Sequence, residues 1–196
     1  MNYKKITHLL FELAILKREK HCGFMLAGVR ELDSLADHTV RSALIGYILA
    51  EMEGANAEKV ATMLLIHDLP ECRVRDHHKV SSRYLDTSKA ENKAFQDQLK
   101  CLPKNIQEKW LGLYNEIHTR STKEGIVAKD ADWLETAISA REFISQGFKG
   151  LQNWIDNVRQ ALQTESARQI LKEIEKQETY EWWQGLKKMT HQKLYK

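Results

Sequence analysis

Apolar residues recur along this chain at intervals of three and four, the spacing that gathers side chains on one face of an α-helix. Ile6, Leu9, Leu10, Leu13 and Leu16 form the first such stripe and predict an opening core helix. Gly23 and Gly28 interrupt the pattern until Ser34, a plausible N-cap, opens a second helix with His38, Ser42, Ile45 and Leu49 on one face; Gly54 ends it. A third helix is expected from Ala57, with Val60, Leu64, His67, Asp68 and Glu71 near one another on its surface. Pro70 lacks a backbone N–H and clashes with the carbonyl of Ile66, so this helix must kink or stop there. A polar segment follows, and further helices are expected over about 88–100, 104–119, 123–146, 150–163 and 165–188, with Pro103 in a first turn. Strand alternation and internal repeats are missing from the pattern. The expected architecture is an all-α, multi-helix bundle whose central helices are the second, the third and the one holding AKDADWLETAISA.

Composition agrees with helices, since the 196 residues include only two prolines and nine glycines. No Gly-, Pro- or Ser-rich linker divides them, so one domain is expected over 1–196, with its core at about 8–178 and a C-terminal helix to about 188. The net charge of +3 is small and its basic residues lie scattered among acidic ones, which argues against a nucleic-acid partner. Cys22, Cys72 and Cys101 are odd in number and form no C-x-x-C pair, which argues against a disulfide framework or a zinc ribbon, and a reducing cytoplasm fits. No apolar run approaches the ~20 residues that span a bilayer.

The stretch LLIHDLPECRVRD, residues 64–76, changes the picture. Each unpaired charge at the end of an apolar run costs free energy, yet His67, Asp68, Glu71 and Asp76 stand there together. An isolated His-Asp pair is more often a satisfied packing element than a ligand. Here His38 lies on the core-facing stripe of the preceding helix, and Asp132 lies near the stripe of Val127, Ala131, Leu134 and Ile138. Two imidazoles and two carboxylates converging in a bundle core can offset their desolvation by binding a divalent cation. Such a cation with open positions can hold a phosphate oxygen and a water of lowered pKa.

The order His, His-Asp, Asp resembles the HD-domain metal-dependent phosphohydrolases, in the branch that includes 5′-deoxynucleotidases. The flanking segments LKREKHCGF, GVRELDSLADHTVR, LLIHDLPECRVRD, LPKNIQEKWLGLYNE and VAKDADWLETAISAREF occur in that branch's order, covering about residues 8–178. The resemblance implies an HD-type bundle in which His38, His67, Asp68 and Asp132 ligate one divalent transition metal. The ligand set does not separate Mn, Co, Fe, Ni and Zn. Asp132 is chosen over Asp130 because the family's ligand follows a small or aliphatic residue in K-x-A-D. The resemblance also implies catalytic roles for Glu71, near the water and phosphate, and for Asp76, at the sugar, and a homodimer.

Three positions depart from the family pattern. Its Arg-x-Gly-Trp loop reads His21-Cys22-Gly23-Phe24, and its Gly before the sugar-contacting Asp is Arg75. His21 and Phe24 are therefore candidate substrate contacts, and Arg73 with Arg75 could supply the missing phosphate charge, an Arg fork suiting phosphate better than His. Against that, Arg73 and Arg75 read equally well as a solvated surface pair. His77, His78 and Lys79 could bind phosphate or a second metal but read better as a polar loop, and Trp154, Trp182, Trp183, Phe143, Phe148 and Tyr180 read as core or subunit-interface anchors rather than a base-stacking surface. The expected activity is metal-dependent hydrolysis of nucleoside 5′-monophosphates, deoxyribonucleotides first. The alternatives are another phosphate ester or anhydride, such as a nucleoside triphosphate or cyclic nucleotide, and a non-catalytic nucleotide-sensing module.

Overall fold

The computed structural model describes residues 2–187, and its helices begin where local caps are strong. Asn2 accepts from the Lys5 N–H at 3.1 Å and opens α1, Tyr3–Glu12. Ser34 and Asp37 form a reciprocal capping box that starts α2, Leu35–Glu53, and Gly54, at φ +65°, ends it. Asn56 caps α3, Ala57–Ile66, and a short α4 follows at Glu71–Val74. Asp86 caps α5, Thr87–Leu99; α6 spans Lys104–Thr119 behind Pro103; Thr122 caps α7, Lys123–Ser145. The chain then forms α8, Gln152–Ala161, α9, Glu165–Lys176, and α10, Glu181–Gln184. Among the described residues there is no strand, so the all-α expectation holds.

α7 is the axis of the bundle: α2, α3, α6, α8 and α9 all pack on it. Its Val127, Ala128, Ala131, Ala137 and Ala140 are fully buried, and these small side chains let the neighbours approach. Gly46 serves the same end on α2, since a Cβ there would lie 2.2 Å from Leu64 Cδ1 of α3. Gly125 does so in the first turn of α7, where a Cβ would stand 2.3 Å from the Glu116 carbonyl oxygen of α6. α2, α3 and α7 are thereby pressed together, and the groups that matter for chemistry lie where they meet.

Some boundaries differ from expectation. The third helix stops at Ile66 rather than carrying His67, Asp68 and Glu71 on one face; residues 67–70 form a tight turn in which the Glu71 N–H bonds to the Asp68 carbonyl at 3.0 Å. Pro70 is the cause, for the reason given above. The first helix gives way at Leu13 to a 3-10 turn running to Lys17, and of its stripe Leu9 is buried while Leu10 is 59% exposed. The helix expected over 165–188 ends at Lys176, and α10 is a separate turn; Lys188 lies outside the described residues. Phe143 is buried and Phe148 packs on the core, whereas Tyr180, Trp182 and Trp183 stand 47%, 75% and 39% exposed.

Candidate metal centre

The structure brings His38 of α2, His67 and Asp68 of the turn after α3, and Asp132 of α7 to one point. His38 Nε2 lies 3.1 Å from Asp132 Oδ1 and 3.6 Å from Asp68 Oδ2. His67 Nε2 lies 3.2 Å from Asp68 Oδ1 and 3.6 Å from Asp132 Oδ1. Both imidazoles and Asp132 are buried. Each ring nitrogen on the outer side is engaged: His38 Nδ1 lies 2.5 Å from Glu135 Oε2, and His67 Nδ1 lies 2.6 Å from the Leu64 carbonyl oxygen. These acceptors fix a hydrogen on Nδ1 and point both Nε2 atoms at the carboxylates, where a proton or a metal ion can sit between them.

This donor set fits a divalent cation. His67 Nε2 is buried without a hydrogen-bond partner, and three of the four groups, His38, His67 and Asp132, already hold ligand atoms within 4.8 Å of one another. Burial disfavours charge on His38, but its bonds to Asp132 and Glu135 outweigh burial and hold its pKa well above the usual histidine range. Burial likewise opposes charge on Asp132, yet Lys129 and the two imidazoles carry its pKa well below the usual carboxylate range. The cluster is therefore built to hold positive charge, as protons or as a metal.

Glu71 begins α4 beside this cluster, and its Oε2 is buried with no partner. Burial, followed by the charges of Asp68, Asp76 and Glu91, pushes its pKa well above the carboxylate range. Asp76 Oδ2 accepts from the Cys22 N–H at 2.5 Å and ties the post-α4 segment to the loop holding His21. His21 stacks on His38 with ring centroids 4.3 Å apart, and Phe24 packs edge-on against His21 at 5.9 Å. Phe24 in turn lies 6.1 Å from Trp154 and is only 3% exposed, so most of its ring serves the core. A cavity of about 670 Å³ opens over His38, Asp68, Glu71, Asp76 and Asp132, with His21, Phe24 and Trp154 along one wall. His77, His78 and Lys79, expected as a polar loop, form another part of that wall.

Arg73 and Arg75 do not reach this cavity, contrary to the role considered for them. Arg73 makes a two-pronged bond to Glu12, at 2.7 and 2.8 Å, on the outer side of α4. Arg75 is 77% exposed and pairs with Glu19 at 3.2 Å. Its φ of +69° lies in the left-handed region that favours glycine, so the backbone there keeps a conformation a side chain resists. The charge that this pair could have offered a phosphate is thus turned away. Asp130, the ligand passed over, faces the other side of α7, where its oxygens accept from the Gln163 and Thr164 N–H groups at the start of α9.

Two residues of the centre were missed from sequence. Glu135 touches His38 and also accepts from Arg41 Nε at 2.9 Å, while Arg41 binds Glu142 with Nη1 at 3.0 Å. Lys129 holds Asp132 Oδ2 at 2.6 Å. Both stand three residues from Asp132, one on each side, and that helical spacing on an otherwise apolar face was the available signal.

A family profile described as HD domain matches residues 13–175. The chain is 26% identical over 129 residues to the 5′-deoxynucleotidase HDDC2 of Bos taurus, covering 65% of this chain and 62% of that protein, so it spans less than two thirds of that relative's length. It is 28% identical over 173 residues to the 5′-deoxynucleotidase HDDC2 of Dictyostelium discoideum, covering 81% and 88%. A solved conserved hypothetical protein from Pyrococcus furiosus superposes with a TM-score of 0.71 at 29% identity, over 87% of this chain and 99% of that one. With the profile spanning α2 to α8 and all but the last residue of α9, the chain belongs to the HD-domain family.

Proposed function

We propose that this protein is a metal-dependent phosphohydrolase that cleaves nucleoside 5′-monophosphates, deoxyribonucleotides among them, to nucleoside and phosphate. The observation that carries this reading is the meeting of two imidazole Nε2 atoms and two carboxylates at the floor of a large cavity, with the unpartnered Glu71 Oε2 beside them. His38, His67, Asp68 and Asp132 would hold one divalent cation, which when bound supplies Lewis acidity toward a phosphate oxygen and lowers the pKa of a water. Glu71, its pKa raised by burial and by the charges of Asp68, Asp76 and Glu91, stands ready to give a proton to the leaving ester oxygen. Asp76 fixes the His21 loop and faces the sugar; His21 and Phe24 line the path from the floor to Trp154. The names of the Bos taurus and Dictyostelium discoideum relatives support a 5′-monophosphate substrate.

The test is phosphate release by metal-stripped protein resupplied separately with Mn²⁺, Co²⁺ or Zn²⁺, across ribo- and deoxyribonucleoside mono- and triphosphates. Metal-dependent release from monophosphates is expected, and the ratio of deoxy to ribo rates reads how far Phe24 crowds the sugar. Release from triphosphates alone, or none from any compound despite metal binding, would overturn this reading.

We also infer a homodimer in the cytoplasm. Val40, Leu44, Tyr47, Ile48 and Met52 make an apolar stripe along α2, 41–63% exposed, on the helix whose other face carries His38. A two-fold pairing of such a stripe with its own copy covers it in both subunits. Native mass spectrometry is expected to give twice the 22.8 kDa chain mass, and Leu44→Glu to return it to one. Cys22, Cys72 and Cys101 are free thiols, and burial, aided by Asp76 at Cys22 and Glu12 at Cys72, pushes the first two up to about 12 and about 11. No helix among the described residues is long and apolar enough to cross a membrane.

A further inference from the structure

The cavity over the metal centre is short of positive charge. A divalent cation held by two neutral imidazoles and two carboxylates has no net charge, and Glu71 and Asp76 add two further acidic side chains to the wall. A phosphate ester carries up to two negative charges and meets, on this accounting, a neutral to acidic site. Arg73 and Arg75 are occupied by Glu12 and Glu19 outside the cavity. The only lysine or arginine side chains among the described lining residues are those of Lys79 and Lys129. Lys79 is exposed at the mouth. Lys129 reaches the floor: its Nζ lies 2.6 Å from Asp132 Oδ2, while Asp132 Oδ1 faces His38 and His67.

We propose that Lys129 is the phosphate-binding cation of this protein, its ammonium group bridging the outer oxygen of Asp132 and an oxygen of the substrate phosphate. This rests on the metal-dependent phosphohydrolase reading above. An ammonium has three N–H donors and Asp132 uses one, so donors remain for a second anion. The Lys129 side chain is 27% exposed, enough to be reached from the cavity, and it lies beside the Trp133 ring, 5.5 Å from Nζ to the centroid, which confines its swing. With Lys129 counted, the cation, its four ligands and the ammonium sum to one positive charge in place of none, so the cavity floor offers the phosphate a cation that Glu71 and Asp76 of the wall do not. Lys129 thus takes the part for which the sequence offered Arg73 and Arg75.

The test measures inorganic phosphate binding to the cobalt-loaded protein by calorimetry, in wild type, Lys129→Met and Lys129→Arg, with Co²⁺ affinity from chelator competition in each. Loss of one charge-assisted hydrogen bond is expected to weaken phosphate binding in Lys129→Met by about tenfold or more, with Lys129→Arg far closer to wild type and Co²⁺ affinity changed much less than phosphate affinity. Unchanged phosphate binding in Lys129→Met, alongside a loss of Co²⁺ affinity, would overturn the proposal and leave Lys129 as a support for Asp132. Should the Met variant not fold, reductive methylation of the wild type gives the answer: phosphate is expected to protect Lys129 in the cobalt-loaded protein, and equal labelling with and without phosphate overturns the proposal. The two readings separate cleanly. Lys129-dependent phosphate binding without hydrolysis of any nucleotide defeats the substrate assignment and keeps Lys129; nucleotide hydrolysis with Lys129-independent phosphate binding does the reverse.

Discussion

Glu71→Gln is expected to lower kcat for nucleoside monophosphate hydrolysis by about 10²- to 10⁴-fold while Co²⁺ affinity stays near wild type, because general acid catalysis is worth about that much and the amide cannot give up a proton. Glu71 stands next to the proposed ligands without being one of them. Its buried Oε2 has no protein partner, and burial together with Asp68, Asp76 and Glu91 keeps the carboxyl protonated above the usual range. The sign of the pH dependence follows. The protonated acid is the working form, so activity is present below the raised pKa and falls as pH rises through it. A divalent cation pulls that pKa down, and the descending limb is therefore read on the loaded protein. Glu71→Gln removes the limb along with the rate. Wild-type turnover in Glu71→Gln would dismiss Glu71 as the acid.

The second large effect belongs to Glu135, which is only 2% exposed and joins His38 Nδ1 to Arg41. Glu135→Ala is expected to weaken Co²⁺ binding by about 10- to 100-fold, the usual loss when a partner behind a ligating histidine is removed. It frees the imidazole to turn and leaves Arg41 with only Glu142 and Ser139. A stability signature accompanies it. Burial raises the Glu135 pKa, but His38 and Arg41 outweigh burial and hold it at about 2. A depressed carboxyl pKa stabilises the fold above the unfolded value near 4.5 and loses that contribution as pH falls toward about 2. The contribution is on the order of 3 kcal/mol in the metal-free protein. Urea unfolding of metal-free wild type and Glu135→Gln is expected to show a wide gap at pH 6 that closes at pH 2. A gap independent of pH would mean that packing, not charge, is what Glu135 supplies.

Some of this was written in local sequence and some was not. The ends of α5, α6 and α7 fall within a residue of their expected positions because caps such as Asp86, Pro103 and Thr122 act on the backbone beside them. The break at Pro70 is equally local. The C-terminal helix was less legible: the apolar spacing runs on past Lys176, but the backbone turns extended at Gln177, where the Arg141 side chain of α7 binds its carbonyl oxygen at 3.1 Å.

For the candidate metal centre, the sequence by itself determined which residue types stand at helical spacing on apolar faces: His38 on α2, His67 and Asp68 after α3, Asp132 on α7. Their meeting, and the identity of the residues behind them, was decided by tertiary structure. Glu135 is 97 residues from His38 in the chain and 2.5 Å from it in space, a pairing fixed by the packing of α2 on α7. The fates of Arg73 and Lys129 were settled in the same way. A sequence shows that a cation is present, but which anion it meets depends on what the fold places within reach: Glu12 for Arg73, and Asp132 at the cavity floor for Lys129.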